Sequence, residues 1–303
     1  MSVILGIDVG GTFIKGLVLK DGQSVFECEI PTEIGEKLSD CVVTLAKKLA
    51  DGCGISIPQV EGVGVCCPGV IGENGEIVRT DNLKLKNYPL KALLEDKLSL
   101  PVRVFNDANA AALGEAVFGA GKGYTDSVLI TLGTGVGGGI VLGGKLFEGN
   151  KKAGAEIGHM VIRQGGRRCS CGRQGCFEAY CSARALTKKT KELMGGKSSV
   201  LRDYPEVDGR VAFELQNADQ SAKKVVDWYI KHLACGIANI ANIFRPQVIM
   251  IGGGVAAQGE NLTRPVQSLV NAQIFAADYA PVEIKCASLG NRAGSFGAAA
   301  LFL

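Results

Sequence analysis

One loop near the middle of the chain restricts its fold more than any other segment. Within residues 156–178 the sequence places His159, Cys169, Cys171 and Cys176 in the pattern His-x9-Cys-x-Cys-x4-Cys. One imidazole and three thiolates are the ligand set of a closed tetrahedral zinc site, which leaves no open position for a substrate. A surface histidine beside buried thiols is the alternative, but three cysteines among glycines and arginines make a poor core segment. The loop therefore predicts a structural Zn²⁺ site.

The composition excludes several classes of function. With 303 residues, of which 47% are apolar and 21% charged, the chain suits two globular domains. A net charge of +3 gives no large basic field, so nucleic acid is not an expected partner. No segment has the roughly 18 apolar residues of a membrane span, and the N-terminus lacks the basic region of a signal peptide. The eleven cysteines are expected to be reduced thiols in a cytoplasmic protein.

The first third of the chain alternates strands and helices. Residues 2–30 contain β-rich runs joined by glycine turns, which is typical of a β-meander. Helical spacing of leucine and valine predicts a helix over 36–52, and apolar residues before Pro68 and Gly69 predict a buried strand. We expect the stretch that contains TDNLKLKNYPL to be irregular. The other elements predicted in this part are a helix over Leu90–Leu98, a strand over Val102–Phe105 and a helix directly after that strand.

The second half of the chain repeats part of this pattern. From Ser127 onward, two apolar runs flank a glycine-rich turn as in the opening segment, which is consistent with a duplicated fold. Residues 182–243 have a mostly helical composition with breaks at Pro205 and Gly209. The elements predicted after them are a buried strand in VIMI, a triple-glycine turn, a helix, a strand in VEIKCAS and a final helix in GNRAGSFGAAALFL.

A second motif concerns dinucleotides. Gly133, Gly135 and Gly138 satisfy GxGxxG by letter, but in a Rossmann site that motif opens a helix, whereas here it leads into the strand-like IVLGG. The glycines therefore predict a hairpin. Such a hairpin lets backbone N–H groups approach phosphate oxygens, and Thr134 adds a hydroxyl donor. An ordinary glycine turn is the alternative.

The N-terminal DVGGT repeats the same chemistry. Asp8 at the end of a strand can hold a Mg²⁺ hydration shell, and the two glycines after it offer backbone donors to a phosphate. Two such hairpins indicate a nucleoside triphosphate, and the triple-glycine turn suits close approach to a flat ligand such as adenosine. The predicted nucleotide and phosphate site comprises Asp8, Gly10, Gly11, Thr12, Lys15, Gly133, Thr134, Gly135, Gly253 and Gly254.

Asp107 lies where a predicted strand meets a predicted helix. An N-cap is the simple interpretation of an aspartate at such a junction. Asn106 adds a second polar group, and the alanines that follow leave room beside the carboxylate. A carboxylate in this position can accept the proton of an attacking hydroxyl, which makes Asp107 a candidate general base in phosphoryl transfer.

Taken together, DVGGT, FNDANAAALGE, GTGVGGGI, EIGH with the CxCGxxGC loop, and IGGGV resemble the ROK family of sugar kinases and sugar-responsive repressors. The resemblance extends from Asp8 to the last helix. It implies an α/β fold of the two-domain actin-like ATPase class, with ribonuclease-H-like cores and an active-site cleft between the domains. The predicted domains are 1–117 with 291–303, the smaller one, and 118–290, which carries the zinc loop.

The resemblance implies an ATP-dependent hexose kinase that acts on the 6-hydroxyl of glucose, with Mg²⁺ at the phosphates. It implies that Asp107 is the catalytic base, and that His159 contacts zinc with one ring nitrogen and the sugar with the other. Lys84 to Lys86 depart from the family pattern, in which a proline and an aromatic residue follow the asparagine. The implied sugar contacts are Pro68, Gly69, Asn82, Asn106, Asp107, Glu156, His159 and Glu178.

Other functions remain open at this level. Kinases of mannose, fructose, allose or an N-acetylhexosamine have the same expected motifs. A sugar-binding repressor or an inactive sugar sensor is the alternative of another class. Repressors of the family carry an N-terminal helix-turn-helix, whereas the first predicted strand begins by Val3. The resemblance also favours a homodimer or a homotetramer, with the sugar and ATP as the small-molecule partners.

Overall fold

A computed structural model describes residues 2–193, 199 and 207–303 of the chain. The described residues fall into two compact units. Unit 1 comprises Met1–Gly123, Gly139–Ala155 and Leu289–Leu303, and unit 2 comprises Tyr124–Gly138 and Glu156–Ser288. The division into functional domains at 117/118 and 290/291 stays a prediction.

The strands of the described residues form two five-stranded sheets and one three-stranded sheet. Their bounds are β1 (Val3–Val9), β2 (Phe13–Lys20), β3 (Gln23–Pro31), β4 (Gly62–Cys67), β5 (Val70–Ile71), β6 (Ile77–Thr80), β7 (Leu85–Tyr88), β8 (Val102–Asn106), β9 (Ser127–Leu132), β10 (Val136–Leu142), β11 (Lys145–Phe147), β12 (Val248–Gly252) and β13 (Glu283–Cys286).

The α-helices occur in the order that the sequence predicts. Pro205 and the rest of 200–206, together with 194–198, lie outside the described residues, so the predicted break at Pro205 stays a prediction. The helices are α1 (Leu38–Gly52), α2 (Leu90–Leu98), α3 (Asp107–Phe118), α4 (Glu178–Cys181), α5 (Ala183–Leu193), α6 (Gly209–Leu215), α7 (Gln220–Phe244), α8 (Glu260–Asn271) and α9 (Ala293–Ala300).

The first five-stranded sheet has the order β3-β2-β1-β4-β8. β1, β2 and β3 form the predicted antiparallel meander, while β1, β4 and β8 run parallel to one another. Because the carboxyl ends of parallel strands meet at one edge of a sheet, Asp8, Cys66 and Asn106 lie at the same edge. This edge carries the candidate chemistry of unit 1.

Each face of this sheet is covered by helices. On one face, valines of β1, β4 and β8 pack with leucines of α1 and α2 in a continuous buried core. On the other face, α9 approaches the sheet so closely that a Cβ at Gly64 would overlap the Ala298 carbonyl. A Cβ at Gly297 would overlap the Ala110 carbonyl of α3 in the same way. Small residues are therefore required where α3, α9 and the sheet meet.

The stretch predicted to be irregular contains regular structure, so that prediction was wrong. β5, β6 and β7 form a three-stranded antiparallel sheet. These strands have only two to four residues, which is too short for a visible alternation of apolar and polar residues. Asn82 lies exposed in the turn between β6 and β7, where Lys84 has a left-handed φ of 54°.

The second five-stranded sheet has the order β11-β10-β9-β12-β13, which repeats the order of the first sheet. β10 and β11 are antiparallel, and β9, β12 and β13 are parallel. The predicted duplication is therefore confirmed. The GxGxxG glycines lead into strand β10 and not into a helix, as the hairpin prediction requires. No helix among the described residues is long and apolar enough to cross a membrane.

Candidate functional site

The four predicted zinc ligands are brought together in unit 2. The ligand atoms of His159, Cys169, Cys171 and Cys176 all lie within 4.8 Å of one another. The distance from Cys169 Sγ to His159 Nδ1 is 3.7 Å, and the distance from Cys171 Sγ to Cys176 Sγ is also 3.7 Å. In a tetrahedral zinc site with Zn–S near 2.3 Å and Zn–N near 2.0 Å, two sulfur ligands lie about 3.8 Å apart and a sulfur and a nitrogen ligand about 3.6 Å apart. The donor set and its spacing therefore fit Zn²⁺.

The loop that presents these ligands is a small irregular hairpin. Cys169 N–H donates to the Arg173 carbonyl at 2.9 Å, and Gly175 N–H donates to the Arg167 carbonyl at 2.8 Å. Gly172 and Gly175 have φ values of 89° and 85°, a region that disfavours other residues. A Cβ at Gly175 would also overlap a carbonyl of the loop. The two glycines thus allow the chain to turn tightly enough for the cysteines to converge.

Glu178 connects this loop to the glycine turn before β10. Its Oε1 accepts a hydrogen bond from the Ser170 hydroxyl at 2.9 Å and lies 3.7 Å from Cys169 Sγ. Its Oε2 accepts from the Val136 N–H at 3.1 Å. A Cβ at Gly135 would overlap Oε2, so the turn needs glycine at this position. Glu178 is therefore both a predicted sugar contact and the link between the predicted zinc loop and the predicted phosphate-binding turn of unit 2.

An aromatic cluster behind the loop was not predicted. The Tyr180 hydroxyl accepts from the Arg167 N–H at 2.8 Å, and the Tyr180 ring stacks on His232 with centroids 4.6 Å apart. The Arg167 guanidinium lies 4.6 Å from the Trp228 ring centroid. Burial lowers the pKa of His232, so its imidazole is neutral at pH 7. These residues hold the loop against α7, and the sequence gives no local signal for them.

The two candidate carboxylates of unit 1 lie at the shared strand edge. Burial, helped by the nearby Asp107 carboxylate, raises the pKa of Asp8 to about 6 against the opposing effects of the Cys66 thiol and Lys15. Burial also raises the pKa of Asp107, while the Ala108 N–H opposes the rise. A carboxylate with a raised pKa is a stronger base. Asp107 therefore has the electrostatics of a general base.

The helix cap beside Asp107 is Asn106, so the alternative that Asp107 is the N-cap was wrong. Asn106 Oδ1 accepts from the N–H groups of Ala108 at 2.9 Å and Asn109 at 3.2 Å. Its Nδ2 donates to the Gly69 carbonyl at 3.0 Å. Asp107 is the first residue of α3, and its Oδ1 accepts a hydrogen bond from the Ala108 N–H at 2.9 Å. Asn106 thus connects the first turn of α3, where the candidate base Asp107 lies, with the Pro68–Gly69 bend.

The glycine turns differ in whether a side chain would fit at each glycine. In unit 1, Gly10 N–H donates to the Phe13 carbonyl at 3.0 Å, and a Cβ at Gly11 would meet no atom within 4 Å. In unit 2, Gly253 has a φ of 81°, and a Cβ there would overlap the Leu132 carbonyl. A Cβ at Gly133 or Gly254 would meet no atom within 4 Å, as at Gly11. The open glycines expose backbone to a ligand, as a phosphate site requires.

Each unit therefore assembles its own part of the predicted site. Lys15 lies directly across from Asp8 in the β1–β2 register, and His159 N–H donates to the Glu156 carbonyl at 3.0 Å. Unit 1 contains Asp8, Gly10, Gly11, Thr12, Lys15, Pro68, Gly69, Asn82, Asn106 and Asp107. Unit 2 contains Gly133, Thr134, Gly135, Glu156, His159, Cys169, Cys171, Cys176, Glu178, Gly253 and Gly254.

Comparisons with known proteins agree with these features. The sequence model of the ROK family matches residues 4–303. A glucokinase of Halalkalibacterium halodurans is 39% identical over 97% of this chain and 92% of its own length. A putative xylose repressor of a Caldicellulosiruptor species is 32% identical over 100% of this chain and 78% of its own length. The structure of a ROK family glucokinase from Streptomyces griseus, in complex with glucose and AMPPNP, is similar with a TM-score of 0.78, 32% identity and 99% coverage of both chains. The likeness confirms the predicted actin-like α/β fold.

Proposed function

The chain belongs to the ROK family and is an ATP-dependent sugar kinase, and we propose that it phosphorylates the 6-hydroxyl of glucose with Asp107 as general base. The observation that carries this proposal is the arrangement at the strand edge of unit 1. There the half-buried Asp107, whose pKa is raised by burial, begins a helix whose cap is supplied by its neighbour Asn106. The names of the glucokinase relatives support glucose as the acceptor.

The proposed reaction is a direct transfer. The sugar 6-hydroxyl donates its proton to the Asp107 carboxylate as its oxygen attacks the γ-phosphorus of ATP. The bond from the γ-phosphorus to the bridging oxygen breaks, and ADP leaves with that oxygen. Burial keeps the Asp107 carboxylate basic, which increases its ability to take the proton. Asn106 keeps the base in place through its bonds to the first turn of α3.

The nucleotide is proposed to bind along the glycine turns. A Cβ at Gly11 or Gly254 would meet no atom within 4 Å, so the backbone there is open to a ligand, and Thr134 adds a hydroxyl. Gly133 is open in the same way, but its own N–H donates to the Gly135 carbonyl at 3.0 Å. The Asp8 carboxylate, partly buried beside a second carboxylate, is suited to a hydrated Mg²⁺ because a cation relieves the repulsion between them. When bound, Mg²⁺ neutralises charge that develops on the phosphates.

The proposed sugar contacts are polar groups on loops. His159 directs Nδ1 at the cysteines, so Nε2 is the nitrogen that we assign to a sugar hydroxyl. Zn²⁺ would then orient the imidazole without contact with the substrate. Glu178 already accepts from Val136 N–H and Ser170, so its sugar contact requires a remaining lone pair. The other proposed contacts are Pro68, Gly69, Asn82, Asn106 and Glu156.

Two other assignments follow from the family. Mannose, fructose, allose or an N-acetylhexosamine as acceptor would keep the same base and nucleotide site. A sugar-binding regulator is the alternative of another class, since a putative xylose repressor matches the whole chain. The presence of both Asp8 and Asp107 in half-buried positions supports a kinase, because a sugar sensor needs neither a base nor a cation site. A homodimer or homotetramer is part of the proposal.

The test is phosphoryl transfer from Mg-ATP to a panel of hexoses and N-acetylhexosamines. We expect glucose to be the best acceptor and Asp107→Asn to lose at least about 100-fold in kcat with sugar binding retained. Exposed Asp51→Asn is the matched control and should keep wild-type activity. Turnover on an N-acetyl sugar alone would replace glucose as the acceptor. Sugar binding without any turnover would contradict the kinase assignment.

A further inference from the structure

Cys66 is a buried thiol next to the candidate cation site. It lies on β4 in parallel register with Asp8 on β1, and its side chain is 0% exposed. It packs against Ala110 of α3 and Ala298 of α9. Its Sγ lies 3.3 Å from Asp8 Oδ1, so that the thiol donates a hydrogen bond to the carboxylate. Among the described residues, no other donor forms a hydrogen bond with the Asp8 side chain.

The Asp8 carboxylate is confined on its other side by α9. A Cβ at Gly294 would lie 2.7 Å from both Cγ and Oδ2 of Asp8, so glycine leaves just enough space for the carboxylate. Lys15 faces Asp8 from the neighbouring strand and contributes a favourable charge without a hydrogen bond. The thiol is thus the one directional contact that can select an orientation of the carboxylate plane.

An orienting contact has a clear physical role at this place. The terminal torsion of aspartate has a broad and nearly two-fold energy profile, so a carboxylate without partners samples many orientations. A hydrogen bond to Oδ1 restricts this rotation and fixes the plane of the carboxylate. Burial raises the pKa of the Cys66 thiol well above its ordinary value, so the group remains a donor at working pH.

We propose that Cys66 is a positioning residue for Asp8: its S–H···Oδ1 hydrogen bond holds the carboxylate ready for the divalent cation that accompanies ATP. This inference rests on the proposed function, because it takes Asp8 as the cation-binding carboxylate. It differs from a packing role, in which the thiol would only fill space between the sheet, α3 and α9.

Three variants separate these roles. Cys66→Ala removes the donor, and Cys66→Ser keeps a hydroxyl donor at the same position. Cys67→Ala is the matched control, because Cys67 is the next residue on β4 and is also 0% exposed, but its side chain belongs to the core on the opposite face of the sheet. If Cys66 only fills space, Cys66→Ser or Cys67→Ala should weaken cation binding as Cys66→Ala does. If the hydrogen bond matters, only Cys66→Ala should weaken it.

The first measurement is binding of Mn²⁺ in the presence of AMPPNP, followed by electron paramagnetic resonance. Cys66→Ala should weaken Mn²⁺ binding roughly 3- to 10-fold, the range expected for one net hydrogen bond. Cys66→Ser and Cys67→Ala should remain within about twofold of the wild type. Unchanged Mn²⁺ affinity in Cys66→Ala, or equal losses in Cys66→Ala and Cys66→Ser, would overturn the proposal.

The second measurement is the infrared S–H stretching band of the protein without ligands. The difference spectrum between the wild type and Cys66→Ala isolates the Cys66 S–H band, and the one with Cys67→Ala isolates the Cys67 band. The Cys66 band should lie at lower frequency, because its S–H is hydrogen-bonded. Bands at the same frequency would contradict the hydrogen bond.

Kinetics separate this inference from the proposed function. If the wild type phosphorylates glucose but Cys66→Ala matches it in Mg²⁺ activation, only the role of Cys66 fails. If no sugar is phosphorylated while the Mn²⁺ and infrared differences are found, only the proposed function fails. A wild type that binds no Mn²⁺ with AMPPNP would contradict both. We expect the KM for glucose to be unchanged in every variant, because the contact acts on the nucleotide side.

Discussion

Replacing Asp8 with asparagine should stabilise the protein while it removes the carboxylate of the proposed cation site. The carboxylate is partly buried, and burial raises its pKa from the ordinary 3.8 to about 6. A shift of about two units corresponds to about 3 kcal/mol of free energy, because each unit contributes about 1.4 kcal/mol. Asparagine has the same shape and still offers Oδ1 to the Cys66 thiol at 3.3 Å. The variant therefore loses the buried charge and keeps the hydrogen bond.

The sign of the pH dependence follows from the raised pKa of Asp8. Between about pH 4 and pH 6 the folded state binds the Asp8 proton more tightly than the unfolded state does. The favourable contribution of this protonation is complete below about pH 4 and is lost as the pH rises through about 6. The wild type should thus lose up to about 3 kcal/mol of stability across this window relative to Asp8→Asn, which has no group to titrate there.

The assay is urea unfolding followed by far-UV circular dichroism at pH 4 and pH 7.5, without Mg²⁺ or nucleotide. The free energy of unfolding of Asp8→Asn should exceed that of the wild type by less than about 1 kcal/mol at pH 4 and by up to about 3 kcal/mol at pH 7.5. Exposed Asp51→Asn is the control and should stay within about 0.5 kcal/mol at both values. A difference that is equal at the two pH values, or a less stable Asp8→Asn at pH 7.5, would refute the reasoning.

Further predictions concern the base, the metal loop and the helix packing. Because burial raises the pKa of Asp107, kcat should fall on acidification at a higher pH than a free aspartate would dictate, and a pH profile measures this. Removal of Zn²⁺ with a chelator should change the emission of Trp228, the single tryptophan, because the loop residue Arg167 lies over its ring; unchanged emission would show that the loop does not depend on the metal. Gly297→Ala should lower the free energy of unfolding by about 3 kcal/mol, since the new methyl group meets the Ala110 carbonyl, and urea unfolding checks this.

The sequence predicted the elements that have strong local signals. α2 begins and ends at the predicted residues Leu90 and Leu98, and the meander of 2–30 was identified from its glycine turns and apolar runs. The repeated sheet order was indicated by the similar glycine-rich hairpins. The convergence of the ligands from His159 to Cys176 followed from ligand chemistry and spacing alone. In each case a local pattern is specific to one structure.

Features that depend on contacts between distant residues could not be predicted. Asparagine and aspartate are equally good N-caps, so the sequence could not tell which of Asn106 and Asp107 closes the helix. The stack of Tyr180 and His232 joins residues on different helices and leaves no periodic pattern. The bond from Cys66 to Asp8 depends on strand register across the sheet, which only the fold determines.

The central claim is that Asp107 takes the proton of the sugar 6-hydroxyl during transfer from ATP. The most direct test is to identify the product of wild-type protein, Mg-ATP and ¹³C-labelled glucose by NMR, with Asp107→Asn measured in parallel. We predict phosphorus coupling at carbon 6, one ADP for each sugar phosphate, and a loss of at least about 100-fold in the variant. Phosphate on another carbon, free phosphate without sugar phosphate, or a wild-type rate in Asp107→Asn would contradict the account.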